Sequence, residues 1–423
     1  MKLQAYTVLR LCIAAIGMLS LQSCFKDRCD RIYTLYKPVY QTLSEVRANM
    51  KSNSPRELKQ PGKLYIYGNY IFLNEYDKGI HVIDNTQPAS PKNVAFIDIP
   101  GNVDLAVNGN TLYADSYCDM VTFDITNPRN VSVKKINEKV FPGRATYYMN
   151  YGASDPDSVK IITDWITKDT SMGCEDYTIL YEAYYSISSA DKAGNYASPG
   201  IGGKGGSMAR YTILNNYLYT VTYSDLNVFD ISTPQDPSLV GTNAISNFMI
   251  ETIYPFKNKL FIGGTNGMFI YDASSPATPV KLGQFTHARN CDPVVADDHY
   301  AWVTLRSNLA SCGGNLNQLD VVNISDLMNP TLLKSYPMAS PHGLSKDGNL
   351  LFICDGAEGL KIYNAKDANN LQLIKHIKNM ETYDVIAWNQ KAMVVAKDGL
   401  YQFDYADVAN IRLISKIRIN RAD

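Results

Sequence analysis

The stretch GIHVIDNTQP (residues 79–88) decides the fold, because it returns along the chain. It recurs as MVTFDITNP (120–128), LNVFDISTP (226–234) and MFIYDASSP (268–276), and more loosely as DVVNISDLMNP (320–330), LKIYNAKDA (360–368) and LYQFDYADV (400–408). The aligned residues are Asp84, Asp124, Asp230, Asp272, Asn323, Asn364 and Asp404, spaced by 40, 106, 42, 51, 41 and 40. A fixed period of this length marks a repeated supersecondary unit too small to bury its own apolar face.

Working outward, each unit has four parts. In the second they read VDLAVNGN, TLYADSY, MVTFDI and VSVKKINEKV (103–140). Short runs rich in Val, Ile, Tyr and Phe between Gly, Asn and Asp are antiparallel strands. Gly68-Asn69, Gly109-Asn110, Asn215-Asn216 and Gly348-Asn349 suit the first hairpin turn, since these residues tolerate positive φ. The Asp or Asn ending the third strand offers an oxygen to backbone N–H groups just ahead, and Pro88, Pro128, Pro234 and Pro276 then stop the strand. Four strands per unit, repeated radially, predict an all-β propeller of seven four-stranded blades over residues 62–420. Paired β-sandwiches would not require the period. The 51-residue spacing is accounted for by the loop SNLASCGGNLN (307–317), and the 106-residue spacing by an insertion at 142–205. The insertion contains VKIITDWIT and YTILYEAYYSI and reads as an added subdomain, with an eighth blade from 159–188 as the alternative.

Ahead of the repeats, Lys2 and Arg10 flank LCIAAIGMLSL (11–21), an apolar run too short for the roughly twenty residues that span a bilayer. Residues 1–23 therefore read as a signal peptide. Leu21-Gln22-Ser23-Cys24 resembles the lipobox of bacterial lipoproteins, which implies lipidation of Cys24, a tether over 24–61 and a membrane partner reached through the lipid. The implied location is the cell envelope, as an outer-membrane lipoprotein facing the periplasm or the cell surface. Lys26-Asp27 resembles a charged surface-export signal that Arg28 interrupts. A net charge of −1 gives no reason to expect nucleic acid.

Eight cysteines suit an exported chain, where disulfides are permitted. With Cys12 removed and Cys24 lipidated, six remain. Topology places Cys118 near Cys174, and Cys291 near Cys312, on one face, although fifteen connectivities are open. Cys354, inside LLFICDG, reads as a buried free thiol.

GNYIFLNEYDKGIHVIDNTQPASPKNV (68–94) and YLYTVTYSDLNVFDISTPQDPSLVG (217–241) resemble the LVIVD repeat of exported bacterial and archaeal proteins. With the lipobox, the chain resembles an LVIVD-repeat lipoprotein of the Bacteroidetes type. The resemblance implies a surface or envelope propeller and is silent on activity.

No catalytic motif stands out. The five histidines fall in different units without ligand spacing, so no metal site is read and no cofactor beyond the lipid is expected. GKGGS (203–207) lacks the P-loop pattern and reads as a flexible linker re-entering the propeller; Asp155 and Asp157 read as a solvated turn. The best candidate site is the mouth of the central channel. There the polar residues opening the first strands would gather: Asp104, Arg210, Glu251, Asp292, His342 and Asp384, with Arg289 and Arg306 nearby. Such a ring suits a polar ligand or a cation, or needs no ligand at all. Thirty tyrosines include Tyr147, Tyr148, Tyr151, Tyr181, Tyr184, Tyr185 and Tyr196 in the insertion. Amphipathic rings on a loop suit recognition, or simply cover blade edges. The functional expectation is a non-catalytic module binding a protein or glycan. The alternative is a propeller hydrolase or lyase using His342 with Asp292, Glu251 or Asp384 around a cation.

Overall fold

The repeated phrase forms the third strand of each of seven sheets. The computed structural model describes residues 30–173, 204–246, 249–287, 293–307 and 316–419. The chain divides into two compact units, residues 1–39 with 164–191, and residues 40–163 with 192–423. In the first, the strands that begin at Asp30 and end at Gly173 form a ribbon, with Thr34 Oγ1 donating to Asp169 Oδ1 at 2.7 Å.

The second unit holds the repeats. Its sheets cover residues 61–98, 105–137, 211–244, 250–286, 294–337, 344–377 and 382–418, numbered one to seven here. Sheets two to seven have four antiparallel strands in chain order; sheet one gains Lys204–Gly205 and Lys51–Asn53 at its two edges. In all seven sheets the pairing of third and fourth strands shifts register once, at equivalent places such as Val82/Ile83, Val228/Phe229 and Gln402/Phe403. A bulge there strengthens the local twist.

Alternation along the strands sends neighbouring side chains to opposite faces, and both faces are buried. Phe72 packs with Leu112 and Ala114 of sheet two, while Ile71 and Leu73 pack with Ile386, Met393 and Val395 of sheet seven. Separate apolar clusters join sheets three and four, four and five, five and six, and six and seven. The first strands neighbour one another in succession, and Pro61–Tyr67 of sheet one meets Thr382–Trp388 of sheet seven. The result is an all-β propeller. The same second-strand position carries Phe72, Tyr113, Tyr219, Phe261, Trp302 and Phe352, all fully buried.

The expected side-chain turn forms in every repeat. Asp84, Asp124, Asp230, Asp272, Asn323, Asn364 and Asp404 each accept, through Oδ1, the backbone N–H two residues ahead at 2.7–3.0 Å. Hydroxyl hydrogen bonds from Thr126 and Ser274, joined by these backbone N–H groups, hold the Asp124 and Asp272 carboxyls down at about 2. The prolines that follow also serve neighbouring sheets: Tyr113 Oη donates to Pro234 O and Tyr219 Oη to Pro276 O.

The stretch expected as a tether carries elements of its own. A six-residue helix, Leu43–Ala48, is capped by Thr42 Oγ1, which accepts from Glu45 N, while Glu45 Oε2 accepts from Thr42 N. Val46 enters the core of sheets one to three. Lys51–Asn53 pairs with the outer strand of sheet one, and Leu58 bridges Ile419. These pairings are long-range, so composition gave no sign of them. Within the expected insertion, Tyr148–Met149 pairs with Ile161 and Lys160, and Lys204–Gly205 returns to sheet one. The strand Lys160–Gly173 belongs to a three-stranded sheet rather than to a four-stranded one. Residues 174–203, including Tyr181, Tyr184, Tyr185 and Tyr196, lie outside the described residues, as does Cys24.

Candidate functional site

Sheet one opens its first strand with Lys63, sheet two with Asp104, sheet three with Arg210 and sheet seven with Asp384. Each stands five residues before the residue that starts the first turn, Gly68, Gly109, Asn215 or Asn389. Lys63 Nζ meets Asp104 Oδ2 at 2.9 Å with both side chains buried, and the Arg210 amide donates to the same oxygen at 2.6 Å. Burial pushes the Asp384 carboxyl up to about 8, with Asp104 adding to the rise, and pulls the Lys63 ammonium down to about 8. The sequence reading had included Asp104, Arg210 and Asp384 and had missed Lys63, although its register in KLYIYGN matches Asp104 in DLAVNGN.

This cluster is not an open mouth. The segment from Lys204 to Arg210, expected as a flexible linker, runs between the converging first strands. Gly205 pairs with Tyr65 of sheet one, and Lys204 Nζ donates to Ala387 O of sheet seven. Leu344 N of sheet six donates to Ser207 Oγ, and Ile253 N of sheet four to Ala209 O. Arg210 then binds Asp104 beside sheet two and enters sheet three. A segment touching that many first strands lies on their common axis. Its small residues are required there: a Cβ on Gly206 would stand 1.9 Å from Asp384 Oδ2, and one on Gly343 2.1 Å from Asp384 Oδ1. The linker reading is therefore corrected, since residues 204–207 of it are held as a plug between the first strands.

The other expected mouth residues stand differently. His342 packs edge-on against Tyr383 at 5.6 Å, and burial, then Arg306, pulls its imidazole down to about 3. Burial and Arg306 thus favour the neutral imidazole, while the Asp355 carboxylate acts weakly the other way. Glu251 is buried at the start of sheet four. Asp292 and Arg289 lie outside the described residues. Among the described residues no three His, Cys, Asp or Glu groups stand close enough to hold a metal ion.

A second candidate is a cleft of about 150 Å³ built by the helix Leu43–Ala48, the loop after sheet two and the start of the insertion. Arg47, Asp119, Glu138, Lys139, Tyr148, Tyr151, Ser154 and Pro156 are among its lining residues. Leu43 N donates to Val159 O, fixing the helix against the insertion. Arg47 meets Asp119 at 2.8 Å and Glu138 at 2.9 Å, and the Lys139 amide donates to Asp119 Oδ1 at 2.9 Å. Lys139 Nζ lies 5.0 Å from the centre of the Tyr151 ring, which meets Tyr148 edge-on at 5.1 Å. Tyr117 and Tyr147 continue the aromatic cluster, with Arg144 beside both rings and paired to Asp77 at 2.7 Å. Cys118 is a buried free thiol behind Tyr148 and Tyr151, its pKa pushed up to about 11 by burial. The cysteine expected to pair with it, Cys174, and the pair Cys291 and Cys312 lie outside the described residues. Cys354 is free and buried, as its sequence context suggested. Asp155 forms a turn, accepting from Asp157 N at 3.1 Å.

The LVIVD repeat model matches residues 62–97, 205–244 and 310–337. The chain thus carries LVIVD repeats in a propeller. No curated protein matches it. Among solved structures, a Lactobacillus plantarum protein is similar at 12% identity and TM-score 0.54, covering 86% of this chain and 97% of that one. The periplasmic gluconolactonase PpgL of Pseudomonas aeruginosa is similar at 12% identity and TM-score 0.50, covering 85% and 96%. At such identities the likeness concerns the fold alone.

Proposed function

We propose that this chain is a non-catalytic binding module, a seven-bladed propeller anchored through lipid on Cys24 at the cell envelope or surface, which presents its loops to a protein or glycan. The observation that carries this reading is the tyrosine cleft. It combines aromatic surface with charged groups of both signs, and lies where the insertion leaves the repeats. The plugged channel favours the same reading, because the Lys63 and Asp104 side chains are already paired with each other. A hydrolase or lyase at the channel mouth draws less support, since buried, neutral His342 sits beside Tyr383 and Arg306.

The test compares capture of envelope glycans and proteins by the full chain with capture by Tyr151→Ala and Asp384→Asn. Loss in the first variant and retention in the second supports binding at the cleft. Turnover that disappears in His342→Ala, together with a stoichiometric copurifying metal, would move the assignment to the enzyme. Anchoring is tested separately: labelled palmitate is incorporated by the native chain and not by Cys24→Ala, and unchanged labelling refutes the anchor.

A further inference from the structure

We infer that the cleft between Arg47, Asp119, Glu138, Tyr148 and Tyr151 takes one neutral sugar ring, the terminal residue of a glycan. The inference rests on the binding reading above and narrows it to one ligand class.

Size comes first. A space of about 150 Å³ is small beside ordinary ligand pockets and is close to what holds a single six-membered ring. The lining supplies the second constraint. Tyr148, Tyr151, Pro156, Leu43 and Val159 offer ring and aliphatic surface, while Arg47, Asp119, Glu138, Lys139 and Ser154 offer donors and acceptors. A pyranose has C–H faces and a hydroxyl circumference, and each hydroxyl both donates and accepts. It can therefore bond carboxylates and cations at once while its faces meet the tyrosines.

Other ring-sized groups fit less well. An aromatic or aliphatic peptide side chain would take water from Arg47, Asp119 and Glu138 and return no hydrogen bond, which costs free energy. A charged group would meet two cations and two carboxylates whose formal charges cancel. Arg47 is already committed to both carboxylates, at 2.8 and 2.9 Å. Those two pairs run through its two Nη atoms and leave other N–H groups of the guanidinium, Arg47 Nε among them, without a hydrogen bond.

The test uses the purified full chain and small probes: the methyl glycosides of glucose, galactose and mannose, methyl glucuronide, and the acetyl amides of leucine and tyrosine. Binding is followed by saturation-transfer NMR and calorimetry. At least one neutral glycoside should bind and exclude the others, with millimolar affinity. Tyr151→Ala and Glu138→Gln should each weaken it about tenfold or more, as expected for losing a stacking surface or a charge-assisted hydrogen bond. Both residues lie away from the buried core, and an unchanged melting temperature verifies that the variants are folded. Asp384→Asn, in the distant channel cluster, should bind normally. Failure of every neutral glycoside, with an acetyl amide or the glucuronide bound in a Tyr151-dependent way, overturns the sugar assignment and leaves the binding reading standing. Glycoside binding insensitive to Tyr151→Ala and Glu138→Gln overturns the cleft as its site. If no probe binds and capture of envelope material also ignores Tyr151→Ala, both readings fall.

Discussion

Asp384 is a carboxyl group in a place that suits an uncharged one. It is buried, Oδ1 accepts from Val385 N at 2.9 Å, and Gly206 and Gly343 approach it more closely than any Cβ would allow. Two predictions follow from that geometry. Gly206→Ala drives a methyl group into Asp384 and should destabilise the fold by roughly 1–3 kcal/mol, the usual cost of overpacking. Asp384→Ala in the same chain should recover much of the loss, so a double-mutant cycle in urea should show strong coupling. Additive effects would mean that plug and carboxyl do not press on each other. The second concerns pH. An unfolded Asp titrates near 3.9 and this one at about 8, so the folded state holds a proton that the unfolded chain has lost between those values. Its contribution is complete below about pH 4 and drains away as pH rises toward 8. Lys63, lowered to about 8, acts above that range with the opposite slope. Asp384→Asn should therefore match the native melting temperature near pH 4 and exceed it increasingly up to pH 8. Parallel curves would refute the raised carboxyl.

At the scale of elements, the phrase ending each third strand combines a strand stop, a turn and a contact to the next sheet. Asn323→Ala isolates the turn without changing charge. It removes the acceptor for Ser325 N at 2.9 Å and should cost about 0.5–2 kcal/mol, like loss of a helix cap, read as a lower denaturant midpoint with an unchanged m-value. A neutral outcome would show that water replaces the side chain. These turns were legible in the sequence because everything they need lies within a few residues of Asp84 or Asn323. The plug was not, since Gly205 and Gly206 take their meaning from Tyr65 and Asp384, well over a hundred residues away in either direction. The same holds for Lys51–Asn53, which becomes a strand only through Asp98, Ile97 and Phe96. Of the candidate site, register located Asp104, Arg210 and Asp384, and applied to the first unit would have added Lys63. His342 stands one residue out of that register, where Gly343 meets Asp384 instead.

For the whole molecule the question is how the last sheet is held to the first. Each of the seven sheets supplies its own four strands, so among the described residues no exchanged strand locks sheet seven to sheet one. Closure rests instead on apolar packing. Leu64, Ile66, Ile71, Leu73 and Ile83 of sheet one meet Ile386, Met393, Val395 and Leu400 of sheet seven, with Leu58 and Ile419 in the same cluster. Leu58 and Ile419 also pair in parallel, and the Ile419 amide donates to Asp398 O at 3.1 Å. The segment before the repeats thus acts as a clasp across the seam. Leu58 is 3% exposed, and Leu58→Ala should cost roughly 2–5 kcal/mol, the range for emptying a packed leucine site. The location of the loss is the sharper test. Because sheets four and five are held by their own cluster, they do not feel the seam directly. In native-state hydrogen exchange the variant should lose protection first at 61–75 and 391–418, while 259–272 and 300–305 keep theirs. Uniform loss over all seven sheets would mean that the ring opens as one cooperative body and that the clasp has no local role. Unchanged protection at the seam would mean that the sheet-to-sheet cluster closes the ring without Leu58.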